Sequence, residues 1–493
     1  MNYKRILFLL CFFGSSLSAS ANFNFNPRCI EAYRAIFDFR LNDARALIRD
    51  EKLQNPQNGI PVLLDNYVDY ITLLTSESKV DYDKLKDNKS DRIDALKKDD
   101  ENSPYYLFSQ AEVYLQWGLL KGRFGDYMSS AGDLKKARSL LNDNAEKYPD
   151  FLPDQKDLAL INIVFGALPS NMKTVAKLFG MEGNTQLGTS QLEKLRAQVH
   201  GTAYSFYNDE IVFFLCLLNT DVLHDGNGYN KMMSYLSTLD NKNALKAYLS
   251  GYVAAKTGHN DEAIVNLQAV PVSNQYVSFP AVNYLLGCAK FCRMDSDADK
   301  FLTTYANQYR GVNYIKDAYL KLGYFYLLKG DEGKYQYYLK LTRAKGYAID
   351  EKDKQALREA NDARPDITLL KTRLAFDGGY YNRALTLLKD KQEGDFSSLR
   401  DKIEYNYYLG RTYEKLTKFN DAISSYQKTI NLGRATSYYY SANAALCEGG
   451  IYEHIQDFNQ AANYYNQAIA MKNHEYESSI SNDAKAGLSR MHR

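Results

Sequence analysis

A small residue recurs at six places along the second half of the chain and limits what it can fold into. Gly251, Gly287, Gly323, Gly410 and Gly449 each lie in a helix-like apolar run, with Thr372 at the corresponding place in "LLKTRLAF"; the offsets are 36, 36, 49, 38 and 39 residues. Twelve residues after each stands Ala263, Asp299, Tyr335, Ala384, Ala422 or Ala461. Between the two comes a short polar stretch in which asparagine returns: "GHNDEA", "YYNRA", "KFNDA", "DFNQA". Asparagine tolerates left-handed backbone and caps a following helix, so the unit reads helix, tight turn, helix. Two antiparallel helices approach closely only where one side chain is nearly absent. Gly on the first helix and Ala on the second therefore mark the crossing, with Tyr413 and Tyr426 filling the space around it. One pair leaves a face uncovered, so such units stack into a solenoid.

The fullest units run Gly410, Tyr413, Ala422, Tyr426 and Gly449, Tyr452, Ala461, Tyr465, with Ala468 at a second small position. This skeleton resembles the tetratricopeptide repeat (TPR) family, over about residues 240–475. The resemblance implies an all-α, TPR-like superhelix, with an array of about six antiparallel helix pairs over residues 240–493. Spacings above the family's repeat of about 34 residues imply longer helices or loops between units. The scaffold hosts many roles, so the resemblance speaks to fold rather than function.

Residues 22–239 form an irregular helical region. "AYRAIFDFRLNDARALI" repeats the turn chemistry at Asn42-Asp43-Ala44, and Ala137 is followed twelve residues later by Pro149, a familiar TPR ending. "KLFGMEGNTQLGTSQLEKL" resembles a short segment of the inclusion-body-clearance type of TPR protein. The charged stretch Asp81–Pro104 is nearly free of aromatics and is expected to be a connector rather than a solvated helix.

The first residues carry a different signal. "MNYKR" is basic, "ILFLLCFF" apolar, and a small-residue tail ends in Ala19-Ser20-Ala21. That is the pattern of a secretory signal peptide over residues 1–21, cleaved after Ala21, which places the chain in the periplasm or outside the cell. Leu10 before Cys11 departs from a lipoprotein signal. Five later cysteines, an odd and sparse set, do not make a disulfide framework. A formal net charge of +2 gives no electrostatic case for nucleic acid or an anionic membrane.

A search for chemistry is mostly negative. The six histidines never fall within five residues of one another, and no CxxC pair, G-x-S-x-G, phosphate loop or dinucleotide fingerprint is present. Asp295, Asp297 and Asp299 have calcium-loop spacing, but Lys300 and Ala306 stand where such a loop needs glycine and glutamate, so a polar turn is expected. No catalytic residue, cofactor or metal is expected. What remains is surface: at about 100° per residue, positions opposite the packed side of each first helix line the concave face. They include Tyr248, Tyr252, Tyr284, Tyr324, Tyr407, Arg411, Glu414, Lys415 and Glu453. The leading expectation is an exported, non-enzymatic scaffold gripping a protein or peptide of the cell envelope, membrane-peripheral at most. The alternative is a glycan-binding component of outer-membrane nutrient uptake, for which 42 tyrosines speak and one tryptophan does not. A hydrolase with a site between the two halves comes third, and a buried carboxylate pair in a pocket would favour it.

Overall fold

A computed structural model describes residues 22–491 apart from 169–172, 174–175, 178–179 and 224–227. Residues 1–21, the expected signal segment, and His224 and His492 lie outside the described residues. Every described element is helical; extended pairing is confined to an isolated bridge between Asn22 and Asn58. No described helix is long and apolar enough to cross a membrane.

Six antiparallel pairs follow residue 240. They are Ala244–Lys256 with Asn260–Gln268, Pro280–Arg293 with Ala298–Gln308, and Ile315–Leu328 with Glu332–Ala344. Then come Ile367–Asp377 with Tyr381–Leu388, Leu399–Lys415 with Phe419–Gly433, and Tyr440–His454 with Phe458–Ala470. The 49-residue offset is filled by an inserted helix, Glu351–Asn361. A last helix, Glu477–Met491, lies across the sixth pair and carries Gly487, 38 residues after Gly449 (487 − 449), in step with the earlier spacing. The chain is an all-α solenoid of TPR-like helix pairs.

The glycines work as crossing points, but their partner is not the alanine. A methyl on Gly410 would meet the Tyr426 ring at 2.6 Å, and one on Gly449 the Tyr465 ring at 2.7 Å. Tyr465 is pressed from its other side by Gly487, where a methyl would come within 2.5 Å. At Gly251 and Gly287 the close neighbours are Leu267 and Leu302. Ala422 and Ala461 are fully buried beside these contacts. Gly323 differs, since its nearest atoms, on Tyr335 and Tyr338, stand 3.6 Å off.

The turns correct the sequence expectation as well. Asparagine supplies neither the left-handed residue nor the cap. The left-handed residues are Gly258, Met294, Gly330, Gly379, Thr417 and Gln456. In the fifth unit the Lys418 N–H donates to the Tyr413 carbonyl (2.9 Å) and the Thr417 N–H to the Glu414 carbonyl (2.9 Å). Asp457 with Tyr452 and Gln456 with Glu453 repeat both bonds in the sixth. This is a Schellman closure, which consumes the carbonyls left open at the end of the first helix. Asn260, Asn420 and Asn459 sit inside the following helices instead.

The stretch Asp81–Pro104 is not a mere connector. It holds the helices Lys79–Leu85 and Asn88–Leu96, and buries Tyr82, Ile93 and Leu96. Three apolar residues sufficed to anchor short helices whose other faces are solvated. The largest core runs from Cys29 to Ala289, continuous across residue 240. Polar ties follow the same line: the Ala244 N–H donates to Asp38 (2.7 Å), the Val277 N–H to the Phe39 carbonyl (2.8 Å) and the Gln275 amide to Asp43 (3.1 Å).

The glycine contacts give opposite expectations for one substitution. Gly410→Ala forces a methyl into the Tyr426 ring and should cost about 1–3 kcal/mol, the range for overpacking. Gly323→Ala meets only ordinary contacts and gains helix propensity, about 0.5–1 kcal/mol. Urea melts of the two variants should shift in opposite directions; equal shifts would show that the ring contact is not what the glycine serves.

Candidate binding site

The inner side of the stack holds two neighbouring spaces. The first is a chamber of about 150 Å³ where the N-terminal region meets the first array units. Its wall is largely aromatic and includes Phe39, Phe213, Tyr248, Phe279, Tyr284 and Tyr314, with Glu77, Arg123 and Asp221 at its polar edge. The rings hold one another: Tyr248 lies 4.5 Å from Phe279, and Tyr284 stacks on Tyr314 at 5.0 Å and 14°. The second space is an open channel of about 1450 Å³. Gly166–Leu168, Asn184–Gln186 and Asp221–Leu223 form one wall, and Glu414, Leu446 and the last helix, including Arg490, form the other. Asp221 borders both spaces.

The polar edge of the chamber is neutralised from within. Glu77 pairs with Arg123 and accepts from the Tyr309 hydroxyl and from the Asn313 amide (3.1 Å). These contacts also pin the N-terminal region to the array across 232 positions of sequence. Asp221 accepts from Lys256 (2.7 Å) and from the Tyr252 hydroxyl (2.5 Å). Burial, then the Asp221 charge, holds that phenol well above its ordinary value.

The residues expected on the concave face separate into groups. Tyr248, Tyr252 and Tyr284 come together in the chamber wall. Tyr284 is buried and its hydroxyl donates to Asp317 (2.6 Å). Tyr324 is buried farther along and donates to Glu359 (2.6 Å). Tyr407, Arg411 and Glu414 share one helix. The Tyr407 ring is 2% exposed, and its hydroxyl accepts from Arg411 (2.7 Å) and Asn443 (2.6 Å). Removing that ring would open a core cavity, a change that ordinarily costs about 3–5 kcal/mol. Arg411 lies over the Phe376 ring at 5.1 Å. Glu414 accepts from the Tyr426 hydroxyl and borders the channel, and Lys415 is exposed. Glu453 repeats the role of Glu414, accepting from Tyr465 (2.5 Å), and is also gripped by Arg490 (2.8 and 2.7 Å). The Arg490 guanidinium holds the Glu453 carboxyl below its usual range.

One cluster had no signal in the sequence. Lys156, fully buried, touches Glu112 (3.0 Å), Asp157 (2.5 Å) and Glu210 (3.2 Å). Tyr33 and Tyr67 direct their hydroxyls at Glu210, and Trp117 ends the neighbouring chain of bonds by donating to Asn66 (2.9 Å). Burial and the Glu112 charge push Asp157 well up, and burial above all lifts Glu210 to about 7. The four charges come from three different helices, Pro104–Arg123, Pro153–Gly166 and Asn208–Asp221, so no linear motif joins them. The cluster borders neither the chamber nor the channel. Of the calcium-spaced aspartates, Asp295 and Asp297 bind Arg293 and Lys290, and Asp299 accepts from Tyr326 (2.9 Å). Among the described residues no group of His, Cys, Asp and Glu has the arrangement of a metal site. Cys29, Cys216, Cys288, Cys292 and Cys447 are all free thiols.

No protein-family model and no curated protein matches the chain. Among solved structures it is similar to a chain of the APC/C hetero-tetramer Cut9-Hcn1, at 14% identity over 94% of this chain and 97% of that one, with a TM-score of 0.28. It is also similar to human IFIT1, solved as a dimer with PPP-AAAA, at 12% identity over 92% and 96% of the two chains, with a TM-score of 0.33. Overlays at these scores carry no weight of their own, and the fold rests on the pairing and turns described above.

The N-terminal region generates a pH expectation. Asp154 is 1% exposed, and burial lifts its carboxyl to about 8 against two bonds from the Asn144 amide (3.0 and 2.9 Å). The unfolded chain releases that proton near pH 4. Between about pH 4 and 8 the native state therefore holds the extra proton, and stability falls as pH rises through that window. Asp154→Asn keeps the shape and removes the titration. Its melting temperature should exceed that of the parent chain near pH 8, with the advantage shrinking toward pH 5; parallel curves would refute the assignment.

Proposed function

We propose that this chain is an exported, non-enzymatic scaffold of the cell envelope that holds an extended segment of a partner protein in the inner channel. The observation that carries this reading is the channel itself: about 1450 Å³, open, and walled on opposite sides by the N-terminal region and by the last array units. Its lining mixes open space beside Gly450 with amides, hydroxyls and charges of both signs. Such a surface suits main-chain bonding with a few side-chain anchors. Export rests on residues 1–21, whose basic, apolar and small-residue segments have the order of a cleavable signal. The glycan alternative has tyrosine rings to draw on, but Trp117 is buried and bonded to Asn66, so no indole is offered as a sugar platform.

Two measurements test this. Mass spectrometry of the envelope protein should find Asn22 as the first residue, without lipid; an uncleaved or acylated chain would remove the export reading. Ala486 is exposed on the last helix and borders the channel, so Ala486→Trp narrows it without touching a core. Capture of the envelope partner should weaken about tenfold, on the order of 1.4 kcal/mol. The same change at Lys428, exposed on the outer helix Phe419–Gly433, should do nothing. Equal losses at both positions would dismiss the channel.

A further inference from the structure

The chamber's wall is more particular than a gap between helices. Its volume of about 150 Å³ equals that of an engineered apolar cavity that stays dry and admits benzene. Its charges are already answered, Glu77 by Arg123 and Asn313 and Asp221 by Lys256 and Tyr252. Two more hydroxyls are committed, that of Tyr284 to Asp317 and that of Tyr305 to the Asn313 carbonyl (2.7 Å). The hydroxyls of Tyr248 and Tyr314 make no hydrogen bond to any described residue, and Tyr248 is only 8% exposed. Neither hydroxyl is sealed from solvent, so a ligand atom takes the place of water there and returns its hydrogen bond.

These facts select among ligands. A cation would compete with Lys352, which already lies over the Tyr314 and Tyr284 rings at 5.1 and 5.7 Å. An anion would find the lining guanidinium, Arg123, already taken by Glu77. A hexose brings several hydroxyls, each needing a partner, and the wall offers two. A flat, uncharged ring with one polar group satisfies both the apolar wall and the open hydroxyls. We propose that the chamber takes a neutral aromatic ring bearing one hydrogen-bonding group, of the phenol or indole class. The ring reaches it past Asp221, the residue that the chamber shares with the channel. A tyrosine or tryptophan side chain of the segment held in the channel is the source that this continuity favours, and in that respect the inference rests on the channel reading.

The test uses the whole chain and p-cresol as the probe, followed by calorimetry. Saturable one-to-one binding is expected. Leu217, half-buried on the chamber wall, when replaced in Leu217→Trp fills the space and should weaken binding tenfold or more. Tyr248→Phe keeps the packing and removes one hydroxyl, so it should weaken p-cresol several-fold and leave toluene unchanged. This second variant stands if the first fails to fold. Ala486→Trp, in the channel, should leave p-cresol binding intact, which separates failure of the chamber from failure of the channel. Competition by p-cresol against partner capture assigns the ring to a side chain of the partner; binding without competition assigns it to a free small molecule of the same class. Absence of saturable binding, equal binding of p-cresol and toluene to Tyr248→Phe and the parent chain, or tighter binding of tetramethylammonium or a hexose would overturn the proposal.

Discussion

The best-formed units of the stack depend on the edge of a tyrosine ring pressed against a glycine. Tyr426 covers Gly410, and Tyr465 is held between Gly449 and Gly487. A buried ring removes a large apolar area from water, but its hydroxyl must find an acceptor. The chain supplies one four residues after the glycine: Glu414 for Tyr426 and Glu453 for Tyr465. Glycine, glutamate and tyrosine thus form one device, with the small residue giving the space and the carboxylate answering the hydroxyl. Glu414 and Glu453 are consequently packing residues that also present an edge to the interior, and Arg490 uses that edge to seat the last helix on the sixth pair.

The same rule of answered polar groups explains how an irregular insertion fits a regular stack. Helix Glu351–Asn361 interrupts the repeat, and its Asp353 accepts the N–H groups of Tyr314, Lys316 and Asp317 at 2.6, 2.9 and 3.1 Å. A carboxylate at a helix N-terminus is favoured by both the open donors and the dipole. Lys316 in turn reaches the carbonyls of Thr342 and Arg343 at the end of Glu332–Ala344. The Arg343 guanidinium donates to the Ala360 carbonyl of the insertion, which is thus stitched to both helices of the third pair.

In the N-terminal region the rule is strained. One ammonium, Lys156, meets three carboxylates in a space closed to water. Attraction at short range does not by itself repay the removal of so many charges from solvent. Burial raises the Asp157 and Glu210 carboxyls above their ordinary values, which favours the neutral form and lowers that cost. A cluster that spends its charges on each other and borders neither the chamber nor the channel is structural, and this separates it from the interior surface of the array.

The sequence by itself determined the helix pairs, because the demand for a small residue at a close crossing repeats in most units and leaves a period that can be read directly. It did not determine what the glycine faces: Tyr426 and Tyr465 lie sixteen residues on, and which side chain meets Gly410 or Gly449 depends on the crossing angle. The turns were misread for a related reason. A Schellman closure is decided by hydrogen bonds to carbonyls inside the helix end, and these hold Met294, Thr417 and Gln456 in the left-handed conformation despite its steric cost. Tertiary structure alone decided the interior. Tyr248, Tyr252 and Tyr284 line a chamber because Glu77 and Asp38, more than 200 residues away in sequence from Tyr309 and Ala244, draw the N-terminal region onto the array and close its other side. Tyr324 and Tyr407 carry the same helical phase yet end buried, since a helical wheel gives direction from an axis and not the distance to the next helix.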